Sequence, residues 1–132
     1  MKAEATGLRI GARAIGSGEP CLVVAEAGSA HGGDLARGLE LIDAATEAGA
    51  DAVKFQIIFA GEIVHPLTGT IELSGGEVPI YERFRALERG RDFYARLKEH
   101  AAKRGVLFLA SVFGPESARL LKELDPQAVK IA

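Results

Sequence analysis

Cysteine is almost missing from this sequence: Cys21 is the single one among 132 residues, and tryptophan is absent altogether. One cysteine excludes an intramolecular disulfide and a cysteine-based zinc site, and it fits a reducing compartment. Cys21 sits in an apolar run and reads as a small buried hydrophobe. No apolar stretch approaches the roughly 20 residues that span a bilayer. The N-terminus, MKAEATGLRIG, lacks the apolar core of a signal peptide. A cytoplasmic protein is expected, with no membrane partner. Basic clusters are missing too: 16 Lys and Arg stand against 18 Asp and Glu, a net charge of −2. A nucleic-acid partner is therefore not expected, since such binders carry a basic face. There is no GxGxxG, no P-loop and no nucleophile elbow.

What is present is apolar material without charge blocks. With 48% hydrophobic and 26% charged residues, the chain can bury a core, and long disorder is not expected. Its length suits one domain. Residues 1–20 read as an N-terminal extension with a β-hairpin, two short alternating pieces around Gly11-Ala12-Arg13. Residues 21–28, CLVVAEAG, form a continuous apolar run expected for a strand covered on both faces. Gly28 breaks it, Asp34 is placed to cap a helix, and Leu35, Leu39, Ile42 and Ala45 follow at helical spacing up to Gly49. Residues 52–57 give a second strand, and a strand after a short helical connection must run parallel to the first. A helix capped by Asp92 with Phe93, Leu97 and Ala101 inward ends at Gly105, and residues 106–113 form a third strand. Pro115 opens a helix with Ala118, Leu121 and Leu124 inward; Pro126 stops it, and residues 128–132 read as a fourth strand.

The predicted class is α/β: a parallel (β/α) arrangement with four β/α strands, about half of a TIM-type barrel. A complete barrel has eight strands and about 250 residues. On this reading residues 21–132 are the first half of a (β/α)8 barrel, a fragment or a piece completed by another chain. The connection at about 59–90 is far longer than the usual 2–6 residues of a βα loop. It combines turn-rich stretches (HPLTGT, LSGGEVP) with one short helix, YERFRALER. Following a strand, it emerges at the C-terminal edge of the sheet, where such folds hold ligands. It reads as an active-site loop ahead of a tolerated surface insertion.

The strand ends carry the chemistry. Glu26 lies late in the first strand, Lys54 and Gln56 in the second, Ser111 late in the third and Lys130 in the fourth. Period two puts Lys54 and Gln56 on one face. Facing the helices, Lys54 would be buried at heavy cost; facing the mouth, it meets an anionic ligand. A core lysine simply paired with Glu26 is the plainer alternative for one of the two lysines. Two converging ammonium groups suit a metabolite bearing phosphate or carboxylate. His31, beside two glycines in the first βα loop, is either a solvated loop residue or a donor to the ligand. His65 falls in the long loop, and His100 reads as a surface residue. No His, Asp and Glu set has metal-ligand spacing.

These residues also resemble a known family. VVAEAGSAHGGD, LIDAATEAGADAVKFQ, IYERF, GVLFLASVF and AVKIA are similar to the N-terminal barrel of sialic acid synthases and their nonulosonic acid relatives, over nearly the whole chain from Gly7. The resemblance implies a β/α barrel that condenses phosphoenolpyruvate with an N-acetylated aminosugar, usually N-acetylmannosamine, and releases phosphate. It implies a divalent metal, Mn or Mg, with ligands outside this chain, and a homodimer. Glu26, Lys54 and Lys130 would be the catalytic set, with Lys54 and Lys130 holding phosphoenolpyruvate. Gln56 and Ser111 would meet the sugar, Tyr81 would line the pocket, and His31 would join the binding residues. Two departures bear on the acceptor. Ala30 and Gly32 flank the histidine where the family usually has Asn, and Asn or Glu; Ser111-Val112-Phe113 replaces Thr-Pro-Phe.

The chain alone is expected to be inactive, so turnover of phosphoenolpyruvate by it would contradict this reading. Two other classes remain. A Schiff-base aldolase would use Lys130, between apolar neighbours, as nucleophile, and borohydride trapping with pyruvate would label it. A non-catalytic half-barrel would pair with itself to cover its open edges, which a monodisperse monomer in light scattering would contradict.

Overall fold

A computed structural model of the chain describes residues 7–132; the first six residues of the expected N-terminal extension lie outside the described residues. The chain opens with an antiparallel hairpin of β1 (Leu8–Ile10) and β2 (Arg13–Ile15), turning at Gly11 with φ +59°. Then come β3 (Val24–Gly28), α1 (Leu35–Glu47) and β4 (Ala52–Gln56). The long connection holds α2 (Ala60–Ile63), a second antiparallel hairpin of β5 (Thr70–Leu73) and β6 (Gly76–Pro79), and α3 (Ile80–Arg85). The chain continues through α4 (Arg91–Arg104), β7 (Leu107–Val112), α5 (Pro115–Glu123) and β8 (Lys130–Ile131).

β3, β4, β7 and β8 form one parallel sheet in that order, so each strand pairs with its predecessor. Ile42, Tyr94, Leu97 and Leu121 from the helices meet Val53, Phe55, Phe108 and Ala110 from the strands in a single core on one face of this sheet. By the period of two, Val24, Glu26, Lys54, Gln56, Leu109 and Ser111 point to the opposite face. Sequential order with one helix-covered face differs from a doubly wound sheet, whose order reverses. The sheet is open at β3 and β8 and is not a closed barrel.

Several expectations need correction. β3 is shorter than residues 21–28 and is covered on one face only. As an edge strand it packs Ala25 and Ala27 on the helices while Val24 stays 37% exposed. Cys21, before the strand begins, is exposed rather than buried. Gly90, in extended backbone, is the N-cap of α4, and Asp92 sits in the first turn, where its charge suits the helix dipole. On α5 the inward face is Ser117, Leu120, Leu121 and Leu124, with Ala118 exposed. The long connection carries a hairpin in addition to the expected short helix. Asp34 does cap α1, its carboxylate accepting the Ala36 N–H at 2.8 Å, and Gly49 follows that helix with φ +81°.

Candidate active site

Register brings the polar strand ends together. Glu26 pairs with Lys54 and Lys54 with Leu109; one step further along, Gln56 pairs with Ser111 and Ser111 with Lys130. A bulge in β3 between Glu26 and Gly28 follows the first of these pairings and brings Gly28, in place of Ala27, opposite Phe55. Gly28 takes a left-handed backbone, φ +54°, that favours glycine, and it lies against Glu26 and Gln56: a Cβ there would stand in ordinary contact, 3.4 Å from Glu26 Oε1 and 3.7 Å from Gln56 Oε1. Lys54 Nζ forms an ion pair with Glu26 Oε2 and lies 3.5 Å from Ser111 Oγ. The Lys54 side chain is 19% exposed and that of Glu26 52%, so the pair lies at the mouth of the sheet with one side open to solvent. Ser111 is buried, and Lys130 is exposed on the edge strand. The arrangement offers two ammonium groups, a hydroxyl and an amide on one face, with a carboxylate holding the more buried ammonium.

Two other expected residues stand apart from this row. His31 is 1% exposed and lies on the helix side of the sheet, its ring centroid 4.9 Å from that of Phe93 and 6.0 Å from that of Phe55. Its Nδ1 accepts the Gly33 N–H at 2.8 Å, so the neutral ring carries its proton on Nε2, which has no partner. Burial and then the Arg89 guanidinium hold its pKa below the usual 6.5. Its loop folds inward because Arg89 Nε donates to Gly33 O at 2.8 Å. A histidine at the rim is thereby corrected to one inside the aromatic core. Tyr81 borders a separate groove of about 560 Å³, beside Phe59, Glu62, Glu88 and Arg119. His100 is partly exposed and shares Asp43 Oδ1 with Arg104, at 2.8 and 2.9 Å.

Two further residues, Tyr94 and Glu62, belong to the site's frame and were missed in the sequence. Tyr94 is buried and donates its hydroxyl to the Gln56 carbonyl at 3.1 Å; burial pushes its pKa up to about 12. Glu62 accepts the backbone N–H of Glu116 and of Ser117 at the start of α5. The signal for Glu62 was its nearness to the end of β4, but its partners lie far along the chain. Among the described residues no three His, Cys, Asp or Glu side chains converge into a group that could hold a metal ion. No helix among them is long and apolar enough to cross a membrane.

The sequence profile of the NeuB family matches residues 41–132. The chain is 36% identical over 125 residues to the spore coat polysaccharide biosynthesis protein SpsE of Bacillus subtilis, covering 94% of this chain and 34% of that protein. It is 37% identical over 120 residues to the N,N'-diacetyllegionaminic acid synthase of Legionella pneumophila, covering 88% of this chain and 34% of the relative. The crystal structure of a sialic acid synthetase from Leptospira borgpetersenii, in complex with citrate, superposes with a TM-score of 0.76 at 32% identity. That match covers 95% of this chain and 40% of the other. The chain thus spans about a third of the length of these curated relatives. A profile match over most of the sequence, joined to these identities, means that the chain belongs to the NeuB family.

Proposed function

We propose that this chain supplies the phosphoenolpyruvate-holding side of an enzyme that condenses phosphoenolpyruvate with an N-acetylated aminosugar to give a sialic or other nonulosonic acid. The observation that carries the reading is Lys54, held between the Glu26 carboxylate and the Ser111 hydroxyl on the same sheet face as Gln56 and Lys130. Sequential strand order with helices on one face supports the matching structural proposal, that the sheet is an arc of a (β/α)8 barrel. Lys54 and Lys130 would take the phosphate and carboxylate, each as a point charge that accepts several approach angles. Glu26 would orient Lys54, and Gln56 and Ser111 would face the sugar. The enol carbon forms a bond to the open-chain aldehyde carbon, whose oxygen takes a proton. Water adds to the oxocarbenium carbon, and the bond to phosphate breaks. Tyr81 and His31 stand off the row and are given no contact with substrate. A divalent metal, Mn or Mg, with ligands outside this chain, and a homodimer belong to the same proposal for the whole enzyme.

The aldolase alternative needs Lys130 sealed among apolar groups, but Lys130 and its neighbours Val129 and Ile131 are exposed. Binding tests the preferred reading directly. Titrating the isotope-labelled chain with phosphoenolpyruvate should shift the amides around Glu26, Lys54, Gln56, Ser111 and Lys130 to saturation. Lys54→Met should weaken that binding about tenfold or more, the scale of a charge-assisted hydrogen bond. With N-acetylmannosamine and Mn²⁺ added, the chain alone should release no phosphate. Failure to saturate, or a Lys54→Met variant that binds as well as the parent, would overturn the reading.

A further inference from the structure

The turn after β7 is held by a network that begins outside the lysine row. Ser117, with no exposed surface, accepts the N–H of Phe113 at 2.9 Å and that of Gly114 at 3.1 Å on its Oγ. The same hydroxyl donates to Glu62 Oε2 at 2.5 Å. Glu62 further accepts the Glu116 N–H at 2.5 Å on Oε1 and the Ser117 N–H at 3.1 Å on Oε2. One carboxylate thus satisfies two of the free N–H groups that open α5 and, through Ser117, fixes the two amides that follow the end of β7. Glu62 belongs to α2, a few residues past Gln56, while Ser111 ends two residues before Phe113. The loops leaving β4 and β7 are therefore tied where those strands present Lys54 and Ser111. The Ile57 N–H, donating to Ser111 O at 3.0 Å, continues the same seam.

The approach of Glu62 depends on a missing side chain. A Cβ on Gly114 would stand 2.6 Å from both Cδ and Oε1 of Glu62. Gly114 has φ −166°, extended backbone that any residue adopts, so the glycine is required by space and not by its conformation. Glu62 is also the one carboxylate of the neighbouring groove that bonds to α5.

We propose that Glu62 is a positioning residue for the phosphoenolpyruvate side of the site: by gripping the start of α5 through Ser117, it sets the turn after β7 and with it the distance between Ser111 and Lys54. This rests on the functional reading above. Glu62 touches no substrate; it acts through Ser117 and the Phe113 and Gly114 amides.

The test is a set of four variants of the chain, titrated with phosphoenolpyruvate after circular dichroism has confirmed their fold. Glu62→Ala should weaken binding about tenfold, the lower end of what removal of a supporting partner costs. Gly114→Ala, which keeps Glu62 but pushes it off α5, should do the same. In the double variant Glu62→Ala/Gly114→Ala the second change should add nothing, because the clash is gone. Glu62→Gln, which can still accept one N–H, should recover part of the affinity. Parental affinity in Glu62→Ala, or single effects that multiply in the double variant, would overturn the proposal. Should Glu62→Ala not fold, Gly114→Ala with parental affinity has the same force. If the parent chain itself does not bind, the substrate reading fails. The positioning claim is then judged on the Phe113 and Gly114 amides, whose hydrogen exchange must accelerate in Gly114→Ala; unchanged exchange refutes it.

Discussion

His31 combines a buried ring, an occupied Nδ1 and an unpartnered Nε2, and this makes acid a threat to the fold. A second proton would have to go on Nδ1 and displace the Gly33 N–H, beside the Arg89 guanidinium and between two aromatic rings. Its folded pKa is lowered from 6.5, chiefly by burial. Above pH 6.5 the ring is neutral in both states and costs nothing. As pH falls below 6.5 the unfolded chain takes up a proton that the folded chain refuses, so stability is lost down to the folded pKa. Urea unfolding should therefore show a midpoint that drops between pH 7.5 and 5.5. His31→Phe should flatten that slope, at a pH-independent cost of about 1 kcal/mol for the abandoned Gly33 N–H. Equal slopes in both proteins would contradict this. The sequence showed His31 only as a loop residue between glycines. Its burial is decided by Phe55 and Phe93, which no local pattern brings to it.

Elements were legible where one period dominated and illegible where two fitted. α1, β4 and β7 follow from apolar spacing with clear stops at Gly49 and Gly105, the latter at φ +75°. On α5 both 118/121/124 and 117/120/121/124 satisfy helical spacing; the Ser117 hydroxyl, needed by the Phe113 and Gly114 amides, settles it. The β5–β6 hairpin hid behind its glycines. Its signal was the symmetry of Ile71 and Val78 about Ser74-Gly75, which the register pairs and half-buries. Gly38 shows what packing adds beyond period. It lies buried on α1, and a Cβ there would stand 2.7 Å from Cδ2 of Leu97, itself fully buried on α4. Gly38→Ala gains about 1 kcal/mol of helix propensity. It meets an overpacking cost of about 1–3 kcal/mol, since the buried Leu97 must shift within the core to make room. The net expectation is a loss of about 1 kcal/mol in urea unfolding. A stabilised Gly38→Ala would mean that α1 and α4 are not so closely apposed.

At the scale of the whole molecule, the polar strand-end row and the anchorage of the N-terminal hairpin occupy opposite ends of the sheet. Helical connections made the parallel direction of the strands readable from spacing, and parallel strands send their last residues to the same edge. Glu26, Lys54, Gln56, Ser111 and Lys130 share that edge. Where the N-terminal hairpin attaches was not readable, because it depends on side chains from separate parts of the chain. Arg13 on β2 pairs with Asp51 Oδ1 at 2.6 Å and donates to Cys21 O at 3.0 Å; Asp51 Oδ2 accepts the Val23 N–H at 2.8 Å. One carboxylate at the entry to β4 thus binds the hairpin and the residue just before β3. The Arg13 and Asp51 side chains are only 29% and 24% exposed, so solvent screens this joint less than an ordinary surface pair. Asp51→Ala leaves the Val23 N–H and the guanidinium without their acceptor and should cost about 2 kcal/mol. Amide exchange should accelerate in β1 and β2. Asp51→Asn keeps an acceptor for Val23 and should lose about half as much. Because the joint lies at the far end from Lys54, both variants should bind phosphoenolpyruvate like the parent while they remain folded. A drop in affinity that tracks the loss of stability would show that the two ends are coupled through the strands, and that division of the sheet would have to be given up.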